Sequence, residues 1–511
     1  MHRIVIVFLL LPILFWGQQT NKKEKVKLVH SDKIESRPDY FDGNTFYSGS
    51  VVFQHANGTL SADTIVVDQN EKILTAFSNV KMIMDNNELT AEKVTYNNNT
   101  EISTATGDVV LRNPEQTLYT DKLEYNRNTN QAYYNTGGTI VSEESTITSQ
   151  IGIYNLNTKS NTFNDEVRVT NQDYYIESKN IKHYSEGDYM DFNDETYIQN
   201  RKNPRQYIET TKGRYYLGKK EAYLENRSSV YSDGTVLTAD DIYFNQNTGY
   251  GMGEGDVIID NPEDQQYIRG GFGEFFREKD SAYVTQQAYA VKVFENDSFY
   301  LHADTLMSTK RLEKGLIRAF HAAKYFKSNL QGKADSISFY EGTGELRFFK
   351  DPVVWSGVRQ ITGDTIFVYS NVELERLDSI MIRENAFAIS KTDSLTQTQF
   401  HQLKSRRMLG IFIEEQLDWI LAEGNAQSLI YVEEENEEKP LAPKELTGIN
   451  RSDCGIIEAD VEDREINVIS CKIKATSKFY PPSRIPDNER KFPGFLWRSD
   501  DRPLVWQDIF N

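Results

Sequence analysis

The sequence predicts an all-β protein: an elongated, repeat-built β-jelly roll, or β-solenoid-like trough, of short strands. Three observations predict this fold class. The 511 residues include 29 Tyr and 27 Phe against 13 Pro, and aromatic side chains favour pleated strands. Apolar residues seldom recur at helical spacing. One short pattern returns along most of the chain, as expected of stacked copies that bury a shared interior.

Each copy of the repeat begins with Leu or Ile, continues with any residue and ends with a small one. Residues 59–82 read TLSADTIVVDQNEKILTAFSNVKM, and residues 88–111 read ELTAEKVTYNNNTEISTATGDVVL. The first steps between copies are 29 residues, and the last is 42 residues. The leading residues are Leu60, Leu89, Leu118, Ile147, Ile176, Ile208, Leu237, Ile268, Leu301, Leu330, Ile361 and Leu403.

A corner is predicted inside each copy. Leu60 and Ala62 share one parity along the chain, whereas Ile65 and Val67 share the other. In a flat strand the two pairs would face opposite sides of the sheet. We therefore predict a bend or bulge near Asp63 that keeps both pairs inside. A second corner is predicted at TGDV (106–109) and EGDV (254–257), because Gly and Asn tolerate the backbone angles that a tight corner needs.

The small residue of each copy has two interpretations. Small side chains beside large ones let two sheets pack closely. Alternatively, they leave a lengthwise groove for acyl chains, where burying about a dozen methylenes would contribute on the order of 10 kcal/mol. The sequence does not separate the two. The groove interpretation gives these lipid-binding candidates: Leu60, Ala62, Ile65, Leu89, Ala91, Val94, Leu118, Leu123, Ile147, Leu237, Ala239, Ile242, Leu301 and Ala303.

The chain divides into three sections. Residues 1–17 predict a signal peptide, since Arg3 precedes an apolar run of 13 residues, 4–16, that is too short to span a bilayer. Residues 18–370 hold the tandem repeats of about 29 residues. Residues 371–511 are predicted to be modified repeats and an extended capping tail, because the rhythm changes there. We expect the mature chain in the periplasm, where it could associate with the outer membrane.

The net charge and the two cysteines bear on the ligand class and on the redox state of the chain. A net charge of −19 disfavours nucleic acid, whose binding draws on clustered Lys and Arg. Cys454 and Cys471 are 17 residues apart and could form a disulfide in an oxidising compartment. Two cysteines are no disulfide framework, so the sequence leaves this bond open.

No catalytic or metal motif emerges. GYGMGEG at 249–255 has the register of a repeat corner, and no helix start follows it, as a phosphate loop would require. The seven His lack metal-ligand spacing. We therefore expect no cofactor, no metal and no enzymatic activity. An acid often follows the small residue, as in Asp63, Glu92, Asp121, Asp240, Asp304 and Asp364. Other copies have Gln150, Lys179, Lys333 and Arg406 at this place, which a metal site would not tolerate. We therefore interpret the acids as corner carboxylates that accept backbone N–H bonds.

The stretch TFYSGSVVFQHANGTLSADTIVVD at 45–68 resembles the signature of the OstA-like, or LptA, family of lipopolysaccharide-transport proteins. In that family a G-[ND]-V strand is followed by a turn and then [IL]-x-A-D-x-[VI]. Ser50 departs from the usual Asn or Asp. The other signature positions are filled by Gly49, Val51, Leu60, Ala62, Asp63 and Ile65.

The resemblance implies a β-jelly roll with an apolar groove that carries lipopolysaccharide across the periplasm. It also implies end-to-end joining with related jelly-roll domains of the inner-membrane exporter and the outer-membrane translocon. The chain is about three times as long as the short family members and looks like the extended OstA-like proteins of Bacteroidetes-type bacteria.

Two functional hypotheses follow, and a third is disfavoured. The first is a passive periplasmic conduit that shields the acyl chains of lipopolysaccharide or lipid A. The alternative is a structural or surface scaffold whose interior is fully packed. A carbohydrate-active β-helix enzyme is disfavoured because nothing concentrates catalytic residues. A groove open along its length would distinguish the first hypothesis from the second.

Overall fold

The computed structural model describes residues 26–36, 44–55, 58–68, 70–84, 86–155, 157–295, 297–311, 314–374, 376–392, 398–434, 445–462 and 465–511. The predicted signal peptide, residues 1–17, lies outside these ranges. The described residues form antiparallel strands, five short 3-10 helices and no α-helix. The all-β prediction is confirmed. The chain divides into two compact units, Met1–Arg168 and Val169–Asn511.

Unit 1 consists of thirteen described strands, the last of which crosses into unit 2. They are β1 (Lys27–His30), β2 (Lys33–Ser36), β3 (Thr45–His55), β4 (Gly58–Asp68), β5 (Ile73–Met84), β6 (Asn87–Asn97), β7 (Ile102–Arg112), β8 (Gln116–Asn126), β9 (Gln131–Tyr134), β10 (Gly138–Ser142), β11 (Ser145–Ser149), β12 (Ile151–Asn155) and β13 (Ser160–Asn171).

Unit 2 continues the pattern. Its strands are β14 (Tyr174–Tyr184), β15 (Tyr189–Phe192), β16 (Thr196–Asn200), β17 (Tyr207–Thr210), β18 (Lys212–Tyr216), β19 (Glu221–Glu225), β20 (Ser228–Ser232), β21 (Thr235–Ala239), β22 (Asp241–Asn245), β23 (Tyr250–Asn261), β24 (Gln266–Phe276), β25 (Ser281–Val293), β26 (Ser298–Arg311), β27 (Lys314–Lys327), β28 (Leu330–Tyr340), β29 (Glu345–Phe349), β30 (Val353–Ser356), β31 (Arg359–Thr362), β32 (Thr365–Asn371), β33 (Arg376–Lys391), β34 (Phe400–Ile413), β35 (Gln416–Glu434), β36 (Glu445–Glu462), β37 (Glu465–Lys472) and β38 (Thr476–Tyr480). The 3-10 helices are Pro262–Asp264, Arg277–Lys279, Asp487–Glu489, Ser499–Asp501 and Trp506–Phe510.

The predicted corner near Asp63 is confirmed. Leu60, Ala62 and Ile65 are all buried, although the parity of the buried positions changes between Ala62 and Ile65. The pairing of β4 shifts register on both sides at this point. The extra residue lies on the neighbouring strands: β3 places two residues between Ser48 and Val51 where β4 places only Asp63. The bulges on β3 and β5 therefore let β4 bend without an insertion of its own.

Pairs of consecutive left-handed residues mark these corners in both units. Gly107 and Asp108 have φ of 80° and 43°, and Gly255 and Asp256 have φ of 74° and 42°, so the corners predicted at TGDV and EGDV are confirmed. Non-glycine residues adopt this conformation at some cost, which the corner recovers by closing backbone hydrogen bonds. The closing bonds include Asp32 N to Gly49 O, Asp240 N to Gly255 O, Asp335 N to Lys350 O and Asp364 N to Glu384 O, at 2.9 to 3.1 Å.

Two of the recurrent corner acids, Asp63 and Asp364, bond differently from the prediction. The Asp63 carboxylate accepts a hydrogen bond from the Asn79 side chain at 2.7 Å. Asp364 accepts one from the Asn385 side chain at 3.0 Å. At Asp364 it is the backbone N–H of the acidic residue that donates to the neighbouring strand. These two carboxylates therefore join side chains of neighbouring corners, and at Asp364 the backbone N–H is already paired with a backbone carbonyl.

The final 31 residues, 481–511, contain no strand and lie against the outer face of unit 2. We call this segment the C-terminal strap. Buried Gln402 donates from Nε2 to the Arg490 carbonyl at 2.8 Å and accepts from the Phe492 N–H at 2.9 Å. Buried Gln360 does the same with the Leu496 carbonyl and the Arg498 N–H. Two glutamine side chains on different strands thus each bond one carbonyl and one N–H of the strap, as the backbone of a neighbouring β-strand would.

Candidate functional site

Unit 1 contains a mostly apolar cavity of about 150 Å³ near the place where β3 ends and β4 begins. The apolar part of its lining comes from five strands, β3 to β6 and β8, and from the residue before β1. Met82, Ile83 and Met84 are consecutive on β5, so the lining includes side chains from both faces of that strand. The apolar and aromatic lining residues are Val26, Phe53, Leu60, Leu74, Met82, Ile83, Met84, Tyr96 and Tyr125.

A cross-strand row forms the floor of this cavity. Phe53 on β3 lies opposite Leu60 on β4, which lies opposite Met82 on β5. All three are buried, with at most 8% of the side chain exposed. Tyr47 packs edge-on against Phe53, with the ring centroids 5.1 Å apart. The row is therefore fixed on one side and faces empty volume on the other.

The rim of the cavity is polar and carries one cation. Gln54, Gly58, Thr59, Ser103 and Arg127 complete the lining. Burial raises the pKa of the Tyr96 hydroxyl, with Glu101 raising it further, while a hydrogen bond and the positive charge from Arg127 act in the opposite direction. The arrangement combines an apolar hollow with a guanidinium at its edge, which suits a ligand with a hydrocarbon part and an anionic part.

The structure brings few of the predicted groove residues to this cavity. Leu60 alone among them lines it. Ala91 is partly exposed. The others lie buried in the interior of their own unit: Ala62, Ile65, Leu89, Val94, Leu118, Leu123 and Ile147 in unit 1, and Leu237, Ala239, Ile242, Leu301 and Ala303 in unit 2.

The small position of the repeat has a structural role in several copies. Where it is Ser or Thr, its hydroxyl donates to the carbonyl two residues later, across the corner. In another copy, a Cβ on Gly332 would lie 2.3 Å from the Phe348 ring, so glycine makes room for an aromatic side chain. The hydroxyl bonds are Thr120 to Lys122, Ser149 to Ile151, Ser178 to Asn180, Thr210 to Lys212 and Ser405 to Arg407.

Most of the cavity lining lies outside the residues predicted from the sequence. Phe53, Leu74, Met82 and Tyr96 do not occupy the leading or small position of a copy. One signal could have found part of it, because KMIM at 81–84 places two methionines on alternate positions of a strand. Methionine adapts its shape to irregular apolar spaces, so paired methionines in a β-repeat mark a place where packing is incomplete.

The described residues contain one disulfide and no metal-type cluster. No group of three or more His, Cys, Asp or Glu side chains there is arranged to hold a metal ion. Cys454 on β36 and Cys471 on β37 are joined in a disulfide, with Cα atoms 5.7 Å apart. It links two neighbouring strands near the end of unit 2 and lies in a different unit from the cavity.

These features define a class of protein: an antiparallel, repeat-built β-protein with an apolar interior. Residues 23–179 match the family model described as OstA-like protein, so this part of the chain is an OstA-like domain, as the signature at 45–68 predicted. The family is a transport and binding family that acts outside the cytoplasm and is not enzymatic. No curated protein matches the chain. Within the described residues, no helix has the length and apolar character that a membrane crossing requires.

Proposed function

We propose that the chain binds an acyl chain of a lipopolysaccharide-type glycolipid in the cavity of unit 1 and carries it through the periplasm towards the outer membrane. The observation that supports this most directly is the apolar cavity inside the range that matches the OstA-like family. Acyl chains and apolar side chains associate without directional bonds. A passive conduit therefore needs no catalytic group.

The size of the cavity limits what it holds. An apolar cavity of about 150 Å³ accommodates a molecule the size of benzene. Six carbons buried there would contribute about 5 kcal/mol. The cavity therefore receives the end of one acyl chain, and the remainder of the glycolipid extends past the rim, where Arg127 can meet a phosphate. A local cation matters because the net charge of −19 provides no long-range attraction for an anion.

The proposed partners are related jelly-roll domains that join through strand pairing. β1 and β2 pair with β3 on one side, and among the described strands their other edge is open. Leu28, Val29 and Ile34 on this edge are exposed. An open edge with apolar side chains is suited to strand addition by a second β-protein. The exporter and translocon domains implied by the family are the partners we propose.

One observation favours the alternative, a scaffold with a packed interior. In unit 2 the Phe299 ring lies 4.8 Å from Phe339 and 5.8 Å from Tyr325, centroid to centroid. Phe348 packs against Tyr325 and is fully buried. Aromatic side chains fill the interior at this place. If lipid binding fails in unit 1, the scaffold becomes the better hypothesis for the whole chain.

The test is mass spectrometry of lipid that co-purifies with the full chain from a Gram-negative periplasm. Met82→Phe fills the cavity, and Met190→Phe is the matched control, since Met190 is a buried strand methionine of unit 2 outside the cavity lining. We expect lipid A species on the wild type and on Met190→Phe, and several-fold less on Met82→Phe. Absence of lipid from the wild type, or equal lipid on both variants, would contradict the proposal.

A further inference from the structure

We propose that the outer face of unit 2 binds a neutral, linear glycan. The site is a depression of about 410 Å³ whose lining includes Asp191, Lys212, Arg214, Tyr216, Tyr223 and Glu225. Its volume falls in the range of ligand sites, roughly 300 to 1,000 Å³. The proposal is independent of lipid binding, since the cavity and the depression belong to different units.

The depression lies on a continuous row of aromatic rings. Each ring contacts the next, with centroids 4.6 to 6.0 Å apart. Consecutive members stand on neighbouring strands, so at ~4.8 Å per strand the row extends about 30 Å across the sheet. The members are Tyr184, Tyr189, Tyr216, Tyr223, Tyr243, Tyr250 and Phe276.

The row faces outwards. Tyr223 lies opposite Arg214 on one side and Tyr243 on the other, in register across β18, β19 and β22. The adjacent residue on β19, Leu224, is buried, and side chains alternate between the two faces of a strand. Tyr223 is 47% exposed. Cross-strand aromatic pairs stabilise a sheet, but this alone does not account for a polar depression next to the rings.

The charges at the depression are already balanced. Arg214 Nε and Nη2 donate to the two Asp191 oxygens at 2.6 and 3.1 Å, and Lys212 pairs with Glu225. An anion would have to compete with Asp191 and Glu225, and a cation with Arg214 and Lys212. A neutral ligand meets no such competition, because paired groups keep spare donor and acceptor capacity.

Sugar chemistry matches this lining. A sugar ring presents a C–H face that packs on an aromatic ring and hydroxyls that both donate and accept hydrogen bonds. Tyr223 offers a ring face, whereas the Tyr216 ring already has the Lys219 ammonium 5.3 Å from its centroid. The two ion pairs offer acceptors and donors beside Tyr223. Further along the row, the Tyr250 hydroxyl donates to Glu274 at 2.6 Å, which repeats the association of ring and carboxylate. A linear chain lying across the strands would meet the same chemistry at successive sugars.

Isothermal titration calorimetry of the full chain with maltohexaose, cellohexaose and chitohexaose tests the proposal. We expect saturable binding of at least one of them. Tyr223→Ala should weaken that binding about tenfold, the loss of one stacked ring. Tyr119→Ala should leave it unchanged, since Tyr119 is a similarly exposed tyrosine of unit 1.

Binding of none of the three hexasaccharides would overturn the proposal, and so would equal binding by wild type and Tyr223→Ala. The thermal unfolding midpoint of Tyr223→Ala shows whether that variant is folded, and Tyr223→Phe, which keeps the ring, should bind like the wild type. Lipid measured on the same samples separates this proposal from the previous one: lipid without glycan binding removes only the glycan site, and glycan without lipid binding removes only the conduit.

Discussion

The two units place the same repeat position in different surroundings. Leu60 in unit 1 opens onto a cavity of about 150 Å³, whereas Leu301 in unit 2 is fully buried and lies opposite Tyr325. Both leucines occupy the same place relative to the corner of their copy. The corner therefore determines the path of the backbone, and the residues between corners determine whether the interior is open or filled. Phe299 and Phe348 fill it in unit 2.

The outer faces differ as well. In unit 2 the C-terminal strap creates a hydrophobic cluster of its own, in which Ile485 and Phe492 pack on Ile389, Leu429 and other strand residues that face away from the interior. Nothing comparable covers the described strands of unit 1. Burial on both faces makes these strands resemble the centre of a layered sheet.

The largest expected loss of stability comes from removing an aromatic side chain that fills the interior of unit 2. Phe348→Ala removes a fully buried ring and should lower the free energy of unfolding by about 3–5 kcal/mol. Phe53→Ala, beside the existing cavity, should cost about 1–2 kcal/mol less, because its ring has fewer packing partners on one side. Denaturant unfolding, with hydrogen exchange to assign the unit, measures both. Equal losses would mean that the two interiors are equally packed.

A smaller loss of stability is expected when a glutamine that hydrogen-bonds the strap is replaced. Gln402→Ala leaves the Arg490 carbonyl and the Phe492 N–H without their partner, which should destabilise the strap by about 1–3 kcal/mol. Hydrogen exchange at the Phe492 amide should accelerate accordingly. Gln427→Ala is the control, because Gln427 makes an exposed side-chain contact with Asp453. Unchanged protection at Phe492 would show that apolar packing alone holds the strap.

The shared corner gives a third prediction. Ser178→Ala removes a hydroxyl that bonds the Asn180 carbonyl at 3.0 Å and the Thr196 hydroxyl at 2.7 Å. We expect a loss of about 1 kcal/mol. Ala239→Ser places a hydroxyl at the same position of another copy and should be nearly neutral if the corner carbonyl there accepts it. Thermal unfolding compares the two. A large loss in Ala239→Ser would show that copies are not interchangeable at this position.

The smallest effect is the response of the strap to pH. Burial lowers the pKa of His302, with Lys324 acting in the same direction and the Ala288 carbonyl and Asp304 opposing it. The folded state thus favours the neutral imidazole, so its contribution to stability is complete above about pH 6.5, the unfolded value, and declines as the pH falls below it. The Phe510 ring lies 5.0 Å from the imidazole.

Exchange at the Phe510 amide, followed from about pH 7 to 5, checks this dependence. His302→Gln should make it shallower, and His30→Gln, an exposed histidine of unit 1, should leave it unchanged. If all three proteins show the same slope, another group controls the end of the strap.

Much of the fold could be predicted from the sequence because its signals are local and repeated. The parity change between Ala62 and Ile65 required a corner, and TGDV and EGDV marked two others. The cavity could not be predicted, because Leu60 and Leu301 occupy equivalent places in the pattern and differ only in neighbours from other strands. The strap could not be predicted either. Gln402 meets Phe492 across 90 residues, and a single glutamine has no periodicity.

The backbone closure of each corner has a consequence for how the chain can change. The hydrogen bond from Asp240 N to Gly255 O, like the one from Asp364 N to Glu384 O, involves no side chain, so a corner accepts most residues without losing its angle. A gene segment that encodes one copy could then be duplicated or deleted, and the strands on either side would keep their pairing register. Within a unit, the chain can therefore gain or lose length by whole hairpins. What the interior binds or packs changes by substitution of single side chains.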